Sequence, residues 1–516
     1  MKQPPVKGAK KYPVVVLLLG AILAFSLVLR LWNLPSRISI GGDSGRDAFV
    51  AAYGSQALQL PLTGPFSSLG QFTFGPWYYY ELIAAERITG SPYAPWVFLS
   101  LLSVATVWLT FLLGNILAGP AVGLLAALFM AISPAQLSAA KGLTNPNLIS
   151  FFATGAILAF VTAWKRGKAT PILWAWCLGL TLGLGANHHY QMAGMLITPL
   201  FLLLRPGMVG FVVTAYAAAF LTMLPLLFFD LNNHWYTLRH LFETYVDGKN
   251  RIYVPNRWLF YLRDFWPEFW AYTFGLPKIG AIGMIALSLG VLCWQTVRGK
   301  LSSVWKILLV LFAIQFLMLR YYWGERFMGY LQYLHPYLFL ATAIVFERLR
   351  HVRWGNVLLG IALVAFVGGT VGVSLRELKP DEFSLDAGRR AETIMREYPS
   401  EKGYRIYSCS RSGWDNTQAI AYMLYIRGKL KPDGMAIGIP AVCRGNLLLP
   451  ESRIMVSTLP DTKKQIANSV YPPIPHFDAV DISAASDEVR KNAGFSEVSP
   501  MTLYDSTVRW WFREQP

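Results

Sequence analysis

Residues 13–32, PVVVLLLGAILAFSLVLRLW, carry one charge, Arg30, and are followed at residues 41–48 by GGDSGRDA. At a rise of about 1.5 Å per residue, the first stretch is long enough for a hydrocarbon core of about 30 Å. The second sets two carboxylates and a guanidinium at the edge of that span. Ionisable groups are expensive to keep near hydrocarbon, so such a cluster marks a candidate functional site. The two stretches together read as a membrane protein organised around a polar outer loop.

Composition agrees with this reading. Of 516 residues, 54% are hydrophobic, 14% aromatic and only 15% charged, with a mean hydropathy of +0.39. Membrane-length apolar runs fall near 13–32, 94–118, 120–138, 148–164, 171–187, 190–204, 208–229, 277–296, 303–319, 332–346 and 355–374. With the amino terminus inside, the inner loops hold Lys2, Lys7, Lys10, Lys11, Lys165, Arg166, Lys168, Arg205, Arg298, Lys300, Lys306, Arg348, Arg350 and Arg353. That bias fits the positive-inside rule along the whole chain. The net charge of +17 is therefore spread over membrane loops, which points to a bilayer and away from nucleic acid.

The expected fold is a polytopic α-helical membrane protein of about 11 transmembrane helices, with outer-face amphipathic helices and a small carboxy-terminal soluble α/β domain. A transmembrane module would occupy 1–375, with outer loops at 33–92 and 230–276, and the soluble domain 376–516. In the latter, strand-like YRIYSCS and RIMVSTLP alternate with helical RRAETIMREY and NTQAIAYMLYIRG. The first apolar run lacks a small-residue cleavage site and reads as a signal anchor in a cell (inner) membrane, leaving both loops and the tail outside. Cys177 and Cys293 sit within spans as small apolar residues, and Cys409 and Cys443 are a candidate disulfide.

Within the outer loop, Ser44 and Asp47 have the spacing of a capping box, which leaves Asp43 as the less explained acid. After the first span, Arg30 is expected to snorkel to the interface. Trp77, Tyr78, Tyr79 and Tyr80 read either as interfacial anchors or as a face for a sugar ring. Lys141 stands outside, against the orientation rule, close to Asn145-Pro146-Asn147. His188 and His189 do not share a helical face, so they are not a metal pair; hydrogen bonding to a lipid phosphate and structural capping both remain readings. Near the ninth span, Arg320 reads as snorkelling, while Arg326, beside Glu325 and before His335, is a candidate anion ligand.

Four motifs follow in order on one side: GGDSGRDA, FTFGPWYYYE, SPAQLSAAKGLTNPN and RFMGYLQYLHP. In this, residues 13–345 resemble the glycosyltransferase C superfamily, in the branch of the protein O-mannosyltransferases and aminoarabinose transferases (glycosyltransferase family 39-like). The resemblance implies transfer of a sugar from a polyprenyl-phosphate donor to a hydroxyl of an acceptor glycan, lipid or protein, with inversion and without cofactor or metal. It matches Asp43 to the catalytic base and Arg46 to an arginine three residues later. Arg46, Lys141, Arg326 and His189 are then the candidate phosphate ligands. Asp47, Trp77, Tyr78, Asn145 and Glu325 are candidate sugar or acceptor contacts. The sequence departs from the branch at Ser44, where a second acid often follows, at Gly75, where a lysine precedes the proline, and at Asn145, where an aspartate stands. The rival reading is a lipid or sugar transporter, but the spans show no inverted repeat and no matched pair of broken helices.

Overall fold

A computed structural model describes residues 12–38, 40, 43–58, 60–65, 67, 72–248, 257–322, 326–351, 353–381, 384–386 and 389, together with 496–497, 501–503, 506–508 and 511–512. The chain is a multi-pass α-helical membrane protein. Helix α1 (Tyr12–Leu31) leads through one turn, α2 (Leu34–Arg37), to α3 (Asp43–Ala57) and α4 (Trp77–Thr89). Then come α5 (Ala94–Ala118), α6 (Pro120–Ile132), α7 (Pro134–Lys141), α8 (Ile149–Arg166), α9 (Leu173–His188) and α10 (Val209–Asn232). The second half contains α11 (Tyr236–Tyr245), α12 (Arg257–Phe260), α13 (Trp266–Phe274), α14 (Lys278–Val297), α15 (Ser303–Tyr321), α16 (His335–Leu349) and α17 (Gly355–Ser374).

Each of the eleven expected spans is helical, but they differ in length. Among the described residues seven helices are long and apolar enough to cross a membrane, or eight if α6 and α7, bent by 55°, form one span. The other three are α9 with 16 residues, a 3-10 helix at Tyr190–Leu204 with 15, and α16 with 15. A 3-10 helix rises about 2.0 Å per residue, so that segment still reaches about 30 Å.

The bend between α6 and α7 follows from Pro134, which has no N–H to continue the helix. The carbonyls it orphans find other donors. Arg30 Nη1 donates to Ala131 O at 3.0 Å and Nη2 to Met130 O at 3.4 Å, while Ser374 Oγ donates to Ile132 O at 2.5 Å. Arg30 is thus fully buried, contrary to the snorkelling expected of it, because two buried carbonyls at the bend take its guanidinium as their donor. Arg37 likewise closes α1, donating to the carbonyls of Leu29, Arg30 and Trp32.

Helix α8 runs through the middle of the bundle, with α5 and α9 against it. On α9, Gly179 and Gly183 let α10 approach to backbone contact, since a Cβ at either would strike Ala215 or Ala219. Near the carboxy terminus, β1 (Ser496–Glu497) pairs antiparallel with β4 (Trp511–Phe512), and β2 (Met501–Leu503) with β3 (Ser506–Val508). Most of the expected α/β domain, Cys409, Cys443 and Glu325 lie outside the described residues.

Candidate functional site

Helix α3 begins at Asp43, whose carboxylate stands in the first turn, where the helix dipole favours negative charge. This start overturns the capping box read for Ser44 and Asp47. With the helix beginning one residue before Ser44, Asp47 lies a turn inside it and its side chain is completely buried. Arg46 Nε donates to Asp47 Oδ1 at 2.8 Å, and the Tyr79 hydroxyl donates to the same oxygen at 3.0 Å. Arg46 Nη1 reaches the other way to Asp43 Oδ1 at 2.9 Å. One guanidinium is therefore held between a buried carboxylate and a carboxylate that is 63% exposed.

These environments give the two acids different work. Burial pushes Asp47 up to about 6, although Arg46 and the Tyr79 hydroxyl favour its charged form. Tyr78, buried beside it, is held well above the ordinary phenol range by burial and then by the Asp47 charge. Asp43 offers an open carboxylate, and Arg46 fixes where it points.

Helix α4 is pinned to the end of α9. Gly75 N donates to Asn187 O at 3.0 Å, and any Cβ at residue 75 would meet the Asn187 side chain, so a lysine would not fit there. Trp77 Nε1 donates to Thr222 O at 2.7 Å, which ties this ring to α10. Glu81 Oε2 lies 3.0 Å from Nε2 of the fully buried His188, whose Nδ1 lies 2.8 Å from Leu184 O. A carbonyl only accepts, so Nδ1 is the ring's donor to Leu184 and Nε2 is the atom that faces Glu81. Asn145 Nδ2 donates to His188 O at 2.5 Å. An aspartate could not make that bond as a carboxylate, which accounts for asparagine at this position.

Three of the four expected phosphate ligands are otherwise engaged. Arg46 serves two carboxylates. Lys141 Nζ pairs with Glu377 Oε2 at 3.0 Å. His189 is stacked on Phe74 at 5.2 Å, lies 4.6 Å from the Tyr330 ring and accepts at Nδ1 from Gln191 N; burial pushes it down to about 3, so it is neutral. Arg326 donates to the carbonyls of Leu319, Arg320 and Tyr322 at 2.9–3.1 Å and sits 5.6 Å over the Tyr261 ring. Beside it the buried Arg320 lies 4.6 Å over Trp258, with its Nε unpartnered. Among the described residues neither Arg320 nor Arg326 makes an ion pair. Below them Tyr261 touches Phe316 and Trp266, which line an apolar cavity of about 670 Å³ between α8 and α13–α16.

No protein-family model matches the sequence, and no curated protein matches it by sequence. The fold is found among solved structures. The chain superposes on apo ArnT from Cupriavidus metallidurans with a TM-score of 0.57, at 11% identity, over 89% of this chain and 95% of that one. It superposes on the same protein bound to undecaprenyl phosphate with a TM-score of 0.54, at 12% identity, over 97% and 98%. The chain shares the fold of ArnT. ArnT is an aminoarabinose transferase of the GT-C fold, so the resemblance read from the four ordered motifs meets a structural likeness over nearly the whole length.

Within this ArnT-like fold Asp43, Arg46, Asp47, Tyr78 and Tyr79 come together, and Glu81, His188 and Asn145 form a second polar group alongside. Glu81 escaped the sequence reading, although an acid one turn after Tyr78 on the same helix face was a usable signal. Its partner lies 107 residues away, and the sequence carries no trace of that pairing.

Proposed function

We propose that the protein is a membrane glycosyltransferase that moves a sugar from a polyprenyl-phosphate donor to an acceptor hydroxyl on the outer face of the membrane. The observation that carries this reading is the Asp43–Arg46–Asp47 group, with one open carboxylate, at the polar end of a bundle with the ArnT fold. That ArnT has been captured with undecaprenyl phosphate supports a lipid-phosphate donor.

In this mechanism the acceptor oxygen attacks the anomeric carbon from the face opposite the phosphate. Asp43 takes the hydroxyl proton as the new C–O bond forms. The bond from the anomeric carbon to the phosphate oxygen breaks, its electron pair leaves with the lipid phosphate, and the sugar's configuration is inverted. General-base assistance of this kind contributes about 10²- to 10⁴-fold. Arg46, anchored by Asp47, which itself accepts from Tyr79, orients the base.

The departing phosphate gains a second negative charge and needs fixed cations. Arg320 and Arg326 are the best placed, making no ion pair among the described residues and lying close to the apolar cavity, which would take the polyprenyl chain. Arg326 keeps the role read for it, and Arg320 joins it in place of Arg46 and Lys141, whose charges are already met by carboxylates, and of the neutral His189. The scheme uses no metal. The test is to incubate purified protein with a panel of polyprenyl-phosphate sugars and candidate acceptors, with and without EDTA. Transfer that survives EDTA supports the scheme; no release of lipid phosphate from any donor would sink the reading.

A further inference from the structure

The chain stays on the bundle after α17. Ser374 Oγ donates to Ile132 O at the α6–α7 bend, and Val373 lies against Gly275, where a Cβ would collide with it. One 3-10 turn later, Glu377 forms the 3.0 Å ion pair with Lys141 at the end of α7. The backbone then runs beside the segment that leads into α3. Asp381 N donates to Ser36 O at 2.8 Å and Leu385 N to Ile38 O at 3.0 Å. Ser384, Leu385, Ile38 and Ile40 are all fully buried. These contacts end five residues before Asp43.

We infer that residues 374–381 together with Ser384 and Leu385 act as a strap that positions Asp43, with Glu377 a positioning residue acting through Lys141. Helix ends fray unless the chain on their outer side is tied down, and Asp43 occupies the first residue of α3. The strap's two amides supply that tie from outside the helix. The Lys141–Glu377 pair fixes the strap's near end to α7, which explains why a lysine stands on the outer face among polar residues. The pair is partly exposed, with side chains 20% and 27% accessible, so its effect is local rather than global. This role rests on the reading of Asp43 as the base.

The experiment uses the full chain in lipid nanodiscs and three variants: Glu377→Gln, Leu385→Pro, and the reciprocal Lys141→Glu with Glu377→Lys. Hydrogen exchange is followed over residues 36–48, alongside kcat and KM for transfer. The strap predicts faster exchange there in Glu377→Gln and Leu385→Pro, with kcat lowered about 10- to 100-fold at unchanged KM, as for a displaced catalytic group. It predicts that the charge swap restores both protection and most of the turnover. Unchanged exchange over 36–48 in Glu377→Gln would overturn the strap, whatever Leu385→Pro does to folding. A swap that regains protection but no turnover would overturn it as well, and return Lys141 to the phosphate. If the wild type transfers no sugar, the functional reading fails while the exchange result still decides whether the strap holds this segment.

Discussion

The two sides of the polar end handle charge in opposite ways. Around α3, α4 and α9, Asp43, Asp47 and Glu81 each meet a cation or an imidazole, and the Arg46 guanidinium is shared between two acids. Around α12, α15 and the start of α16, Arg320 and Arg326 have rings and carbonyls for partners and an apolar cavity beneath. The first arrangement can accept a proton and the second can accept an anion on an apolar tail. A group transfer that releases a lipid phosphate needs both.

Apart from loss of the base itself, the largest expected effect that would test this division is on the cationic side. Arg320→Ala is predicted to lower turnover about 10²- to 10³-fold, the loss typical of one preorganised charge at a leaving group. Arg320→Lys should recover only part, because a point charge does not stack on Trp258 as a planar guanidinium does. Kinetics of the two variants against a soluble-chain donor would check it; equal turnover in Arg320→Ala and wild type would move the phosphate elsewhere. A smaller effect is expected in the cavity, where Ala341→Trp fills space among Trp266, Phe312 and Tyr337. It should raise KM about tenfold for long-chain donors and leave short-chain donors unaffected, the expected cost of roughly 1.4 kcal/mol of lost apolar contact. The same KM shift for both chain lengths would show that the cavity is not the tail site.

The smallest effect belongs to the acid side away from the base. Asp47 is raised to about 6, so its carboxylate is charged above that pH and neutral below it. Its folded value lies above its unfolded one, so this group favours folding at low pH and that contribution is lost as pH rises from about 4 through 6. Turnover should run the other way, falling on the acid side near pH 6 as Arg46 loses its inner anchor. A pH–rate profile of Asp47→Asn should lack that step and show a drop of only several-fold at pH 8. A step near 6 that persists in Asp47→Asn would assign it to another group.

The apolar runs made the eleven expected membrane segments legible as helices, because burial in lipid demands a long unbroken signature. Asp43 and Arg46 were both singled out in the sequence, but their ion pair was not, because Asp43 was placed ahead of the helix and Arg46 was assigned to the phosphate. Asp47 was misread by a single residue of helix start, and the position of a helix end depends on neighbours that short patterns do not show. Arg30 was misread because its partners lie about a hundred residues on, at a bend created by Pro134. Glu81 with His188 and Lys141 with Glu377 were hidden for the same reason. Which helices become neighbours is decided by packing, as at Gly179 and Gly183 against α10, and local sequence carries little of it.

The most direct test of the account follows donor binding and lipid-phosphate release on the same nanodisc samples of wild type and Asp43→Asn. The account predicts equal donor binding in both, release with an inverted sugar product in the wild type, and a loss of release of about 10³-fold or more in Asp43→Asn. Near-normal release by Asp43→Asn, with donor bound as in the wild type, would contradict it.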